Sequence, residues 1–237
     1  MNANTANSNS HLVRDFLGLF FPRYCLGCED ALVRGEEVLC SQCLSQLPKT
    51  GDWLEEANPV RMKFAGRMTV EYAFAFLRFR KSGLVQHLLH QLKYNNHPEV
   101  GLRLGAVFAR ELTEKGFAPP FDCLVPVPLH PSRQRSRGYN QSAQFASGLA
   151  SVWKVPVSES VSVRKTRTAT QTRKNRWQRW ENVREVFDVA STAQLAGKHV
   201  LLVDDVITTG ATLEACGQHL WQAGCAKLSI ACMAAAQ

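Results

Sequence analysis

The sequence predicts an α/β fold, a mainly parallel sheet covered by helices on both faces, with a small four-cysteine module ahead of it. Three observations carry this. Apolar runs of strand length alternate with segments of helical spacing from residue 69 onward, the order that parallel sheets require. Two C-x-x-C pairs, Cys25 with Cys28 and Cys40 with Cys43, stand eleven residues apart near the start. The length of 237 residues suits one ample α/β domain plus a small appendage.

Residues 1–24 read as a leader. An Asn- and Ser-rich start without a basic n-region and apolar h-region is no signal peptide. Residues 11–21 read as an amphipathic helix, and no apolar run reaches the length of a membrane span. Residues 25–48 read as a zinc ribbon. Each C-x-x-C turn brings two thiolates to one side, so Cys25, Cys28, Cys40 and Cys43 together fill a tetrahedral shell and leave no open position for catalysis. A redox role would need one such motif on a thioredoxin-like turn, not two. The other cysteines, Cys123, Cys216, Cys225 and Cys232, sit singly in apolar settings and read as buried hydrophobes. This usage fits the cytoplasm, not a disulfide-rich secreted chain.

Residues 49–68 read as a linker, with Asn58-Pro59 as a break. From there residues 69–237 read as the sheet domain. Residues 69–80 alternate as a strand buried on both faces. Ser82 is the expected cap of the next helix, in which Leu84, Val85, Leu88, Leu89 and Leu92 recur at helical spacing. His87 and His90 flank that helix as surface residues. A second helix spans 99–115 and ends at Gly116. Residues 122–127 read as a strand, 139–151 as a helix, 155–157 as a short strand, and 183–189 as strand again. Residues 162–182 lack apolar periodicity and read as a long, mobile basic loop. After Ala196-Gly197-Lys198 comes a strand, then a helix with Leu213, Cys216, Leu220 and Trp221 on one face, then a last strand over 228–233.

The chemistry concentrates in Val203-Asp204-Asp205-Val206-Ile207-Thr208-Thr209-Gly210-Ala211-Thr212. Two carboxylates at the end of a strand can accept hydrogen bonds from vicinal hydroxyls. The Thr/Gly turn that follows opens a helix, and its N–H groups can cradle a phosphate. This segment resembles the signature of the type I phosphoribosyltransferases, which bind phosphoribosyl pyrophosphate (PRPP). The resemblance puts Asp204 and Asp205 on the ribose hydroxyls, and Thr208, Thr209, Gly210, Ala211 and Thr212 around the 5-phosphate. Ala211 departs from the Gly found in many of these enzymes, but a small residue still permits the turn.

The net charge of +8 is unevenly spread. Arg133, Arg135 and Arg137 form one cluster, and seven basic residues without an acid lie between Arg164 and Arg179. Localised positive charge points to a polyanion, either pyrophosphate or nucleic acid. The first cluster has the place of a pyrophosphate loop, where Mg²⁺ normally shares the load. The second, with Arg164, Lys165, Arg167, Gln171 and Arg179, has the place of a flexible hood. Trp177 and Trp180 could stack on a base or dock that hood.

Joined together, the pieces resemble the ComF family of DNA-utilisation and competence proteins. The matching elements are the two C-x-x-C pairs, Leu92-Lys93-Tyr94, Val125-Pro126-Val127-Pro128-Leu129-His130, Arg137-Gly138-Tyr139-Asn140-Gln141, Thr170-Gln171, Arg179-x-x-Asn182 and the acid-pair motif. The resemblance implies a phosphoribosyltransferase-like domain linked to uptake or use of external DNA. Two readings stay open. One is transfer of phosphoribosyl from PRPP to an acceptor that the residues do not name. The other is an accessory module that binds single-stranded DNA or a DNA-uptake helicase, its PRPP site a sensor or remnant.

Overall fold

The structure, a computed structural model, describes residues 22–158, 162–164, 187–189 and 195–236. The chain divides into two compact units, one ending at Leu47 and the other beginning at Pro48. Among the described residues, no helix is long and apolar enough to cross a membrane.

The first unit is built on two knuckles. The Cys25 N–H donates to the Asp30 carbonyl at 2.8 Å, and the Leu26 N–H donates to the Val38 carbonyl at 2.9 Å. Helix α1 (Ser41–Ser45) starts from Cys40, whose thiol accepts from the Cys43 N–H. Besides Cys25, Cys40 and Cys43, only Leu39 and Leu47 are buried apolar residues among those described in this unit. A core that small supplies little folding energy by itself.

The second unit holds a four-stranded sheet in the order β1-β6-β5-β2, all parallel. The strands are β1 (Ala73–Phe79), β2 (Cys123–Pro126), β5 (His199–Ile207) and β6 (Lys227–Ala236). A separate pair, β3 (Ser162–Arg164) and β4 (Phe187–Val189), is antiparallel. The start of the expected basic loop is therefore strand. Residues 155–157 contribute one parallel bridge, Leu124 with Val157, and not a full strand.

Strands covered on both faces read as continuous apolar runs, and β5 does so from Val200 to Val203. One face carries α7 (Ala211–Gln222), whose Leu213, Cys216 and Leu220 pack with Val200, Leu202 and Ile230. On the other face, Phe76 stacks on Phe108 at 4.9 Å, and Phe108 on Phe145 at 6.3 Å. Phe108 belongs to α4 (Glu99–Glu114) and Phe145 to α6 (Gln141–Trp153). These helices touch backbone to backbone. A Cβ at Gly105 would strike the Phe145 carbonyl oxygen, and one at Gly148 would strike that of Leu102.

Residues 49–68 are not a linker. Asn58 caps α2 (Pro59–Met62), and Trp53, Val60 and Phe64 are buried. Trp53 meets Phe108 edge-on at 5.2 Å, while Val60 and Phe64 join the core beneath α7. Their spacing has no helical or strand period, so only the folded sheet shows what they cover. Helix α3 (Leu84–Tyr94) starts from Gly83 and not from Ser82, whose backbone has φ +62°. The turn bends one residue later than the sequence suggests.

Candidate functional site

The site lies where β5 passes into α7. Asp204 and Asp205 sit inside the strand, which continues to Ile207, with Asp204 opposite Cys232 of β6. The carboxylates are therefore set by sheet register and not by a loose exit turn. Asp204 Oδ1 accepts from Ser142 Oγ at 2.9 Å and from the Asp205 N–H at 2.8 Å. Asp205 Oδ2 pairs with Lys93 Nζ at 2.7 Å. Burial and the adjoining Asp205 carboxylate push Asp204 up to about 7, against the pull of its two donors and of Lys93.

After Ile207 the chain turns through Thr208 and Thr209, both exposed, into buried Gly210. Gly210 is the N-cap of α7 and has φ +81°. A Cβ there would lie 3.1 Å from the Phe64 ring, so this turn needs glycine for both its backbone and its space. The turn encloses a cradle of about 40 Å³, lined by Asp204, Thr208, Thr209, Gly210, Ala211 and Thr212 among others. The first N–H groups of a helix lack partners within it, so the cradle can take an anion. Thr209 is tied from outside. Its carbonyl accepts from Arg67 Nη1 at 3.0 Å, and Arg67 also pairs with buried Glu214 of α7.

The arginine segment is not a loop. Pro131–Arg137 forms a short helix, α5, with His130 as N-cap and Gly138 closing it at φ +79°. Proline at its first position and glycine just after its end are the start and stop signals of such a turn. Arg133 and Arg137 line a cavity of about 470 Å³ together with Lys93, Tyr94, Asn96, Ser136 and Tyr139. Arg135 is exposed and lies outside that lining. Arg137 donates to Gln141 Oε1 at 2.8 Å and lies 5.4 Å above the Tyr94 ring. Tyr139 Oη donates to the Leu92 carbonyl at 2.5 Å, which fixes the end of α3 against this segment.

Asn140 joins these parts. It caps α6 by accepting from the Ser142 N–H at 3.0 Å and donates to the Val127 carbonyl at 2.9 Å, just past β2. Ser142 is thereby aimed at Asp204. Sequence reasoning gave no role to Lys93, Ser142, Phe64, Arg67 or Glu214. An acid among the apolar positions of α7 was a signal for Glu214, and a lysine ending an apolar helix was one for Lys93. Of the hood residues, Arg164 ends β3. Lys165, Arg167, Gln171 and Arg179, with Trp177 and Trp180, lie outside the described residues.

In the first unit the sulfur atoms of Cys25, Cys28, Cys40 and Cys43 all lie within 4.8 Å of one another. Four thiolates at that separation suit a tetrahedral ion with bonds of about 2.3 Å. Cys25 Sγ accepts from the N–H groups of Gly27 at 3.3 Å and Cys40 at 3.2 Å. Such N–H···S contacts favour thiolate, the form a metal needs. The cluster could hold zinc.

Residues 140–237 match the family model of the phosphoribosyl transferase domain, a span that includes the acid pair and its turn but not the arginine helix. Among whole proteins, the chain is similar to the DNA utilization protein YhgH of Escherichia coli strain K12, with 35% identity over 153 residues. That match covers 62% of this chain and 65% of the relative. It is also similar to Competence protein F of Haemophilus influenzae, 33% identical over 110 residues, covering 46% of this chain and 48% of that protein. Among solved structures, a purine phosphoribosyltransferase from Pyrococcus horikoshii superposes with a TM-score of 0.35 at 21% identity, over 56% of this chain and 70% of that one.

Proposed function

We propose that this chain binds PRPP with Mg²⁺ at the carboxyl edge of its sheet. Asp204 and Asp205 take the ribose hydroxyls, Thr208 to Thr212 take the 5-phosphate, and Arg133 and Arg137 face the diphosphate. One observation carries this reading: an acid pair fixed by sheet register runs directly into an anion cradle at the start of α7. Carboxylate oxygens suit a hard cation, and Mg²⁺ supplies charge neutralisation on a departing diphosphate. The relatives' names, DNA utilization protein and Competence protein F, support a role in the use of DNA. Uptake or use of external DNA, a cytoplasmic location and passage of phosphoribosyl to an acceptor are part of the same proposal.

Calorimetric titration with PRPP and Mg²⁺ tests this. Binding is expected, and the double variant Asp204→Asn/Asp205→Asn should lose it. A metal-loaded protein that ignores PRPP would sink the assignment. A second reading, an accessory module binding single-stranded DNA or a helicase, is favoured by the exposed arginines of α5. It gains if bound PRPP stays intact across a panel of bases and nucleotides, and it requires DNA affinity that falls steeply with salt.

We further propose that Cys25, Cys28, Cys40 and Cys43 hold one structural zinc. Metal analysis should give one zinc per chain. Chelation should unfold the first unit and leave the melting of the second unchanged; joint unfolding would contradict this.

A further inference from the structure

Resting on the PRPP reading, we infer that Lys93 is a displaceable counter-ion that makes the site select ligands carrying a diphosphate. Its ammonium occupies the acid pair when the site is empty and passes to the diphosphate when PRPP arrives.

The inference starts from where Lys93 stands. Its Nζ lies 2.7 Å from Asp205 Oδ2, with side chains 23% and 19% exposed. The same side chain lines the cavity that holds Arg133, Ser136 and Arg137. It therefore sits at the junction of the acid pair and the cation-lined space. Its root is fixed there, because Tyr139 holds the Leu92 carbonyl and Arg137 lies over the ring of Tyr94. Only the four-carbon stem has to turn.

The oxygens of the acid pair show what its release would free. Asp204 Oδ1 already accepts from Ser142 and the Asp205 N–H. Asp205 Oδ2 is engaged by the ammonium. Vicinal hydroxyls also dock on carboxylate oxygens, and one of the two oxygens of Asp205 is taken, so the ammonium competes with the sugar at that carboxylate. A lysine suits a part that lets go and rebinds, since its ammonium is a point charge with three rotatable donors, whereas an arginine fork is fixed in plane. A ligand with diphosphate breaks one ion pair and gives Lys93 another. Ribose 5-phosphate breaks the pair and gives nothing back. The difference between the two ligands is thus partly set by Lys93.

Lys93→Met and Lys93→Gln keep the length of the stem and remove the charge. Calorimetry with Mg²⁺ would compare PRPP and ribose 5-phosphate on both variants and the parent, with melting curves as a check of folding. Affinity for PRPP should drop on the order of tenfold, the scale of one charge-assisted hydrogen bond. Ribose 5-phosphate should bind at least as tightly as before. Equal losses for the two ligands would overturn the inference and make Lys93 a fixed structural partner, as would failure of both variants to fold. If the parent protein binds neither ligand, the PRPP reading itself fails.

Discussion

Two neighbouring parts of the site are built in opposite ways. The acid pair and its turn are gripped by side chains from two other segments, Phe64 and Arg67 from before β1 and Ser142 from α6, with Lys93 of α3 as the counter-ion of Asp205. Helix α5 next to them has no buried residue, and among the described residues only its Arg137 has side-chain contacts to other segments, through Gln141 and Tyr94. The first part is preorganised and can hold a sugar-phosphate in one pose. The second supplies charge and must order its side chains when an anion arrives, at the expense of affinity. Position comes from the gripped part and attraction from the open one.

The largest effect expected from this contrast is at Asp204. Its folded pKa of about 7 stands above the ordinary 3.8, so the folded state holds an extra proton between those values. Stability should therefore rise as pH falls from 8 through 7 toward 4, with the deficit fully present above 7. Asp204→Asn should stabilise the protein at pH 8 by about 2–4 kcal/mol and flatten the slope between pH 4 and 7. Denaturant unfolding against pH reads this out. A variant that keeps the parent slope would show that the pair, with Lys93 and Ser142 around it, is not under the stress described.

Next comes a matched pair of glycines. Gly210→Ala puts a Cβ against Phe64 and keeps φ near +81°, whereas Gly138→Ala has a similar φ and open space around it. The cradle variant should lose about 2–3 kcal/mol and the α5 variant about 1 kcal/mol. Equal losses would break the distinction between gripped and open. Smallest in stability is Arg133→Ala, expected within about 0.5 kcal/mol of the parent because its side chain is exposed. Its effect should appear in PRPP affinity instead, on the order of tenfold at low salt.

Much of the gripped part is legible in the sequence, but not what grips it. The apolar run into Asp204 and Asp205, then threonines and glycine, states strand, acid pair and turn in order. Phe64 and Arg67 carry no such signal, because they act across nearly the whole length of the second unit on a loop far along the chain. The arginine segment shows the reverse error. Pro131 and Gly138 frame a helix start and stop, yet the run between them has no apolar stripe, and so it reads as loop.

The parallel α/β sheet, the four-cysteine cluster and the acid-pair turn are each written in short-range periodicity or spacing. Only long-range packing places Trp53, Val60 and Phe64 in the core and brings Ser142 and Lys93 to the two carboxylates. It also decided that Gly210 must remain glycine against Phe64. These depend on helices α4 and α6 packing backbone to backbone and on sheet register carrying Asp204 to a fixed depth. Contacts between residues far apart in the chain are set by that packing, and no local pattern encodes them.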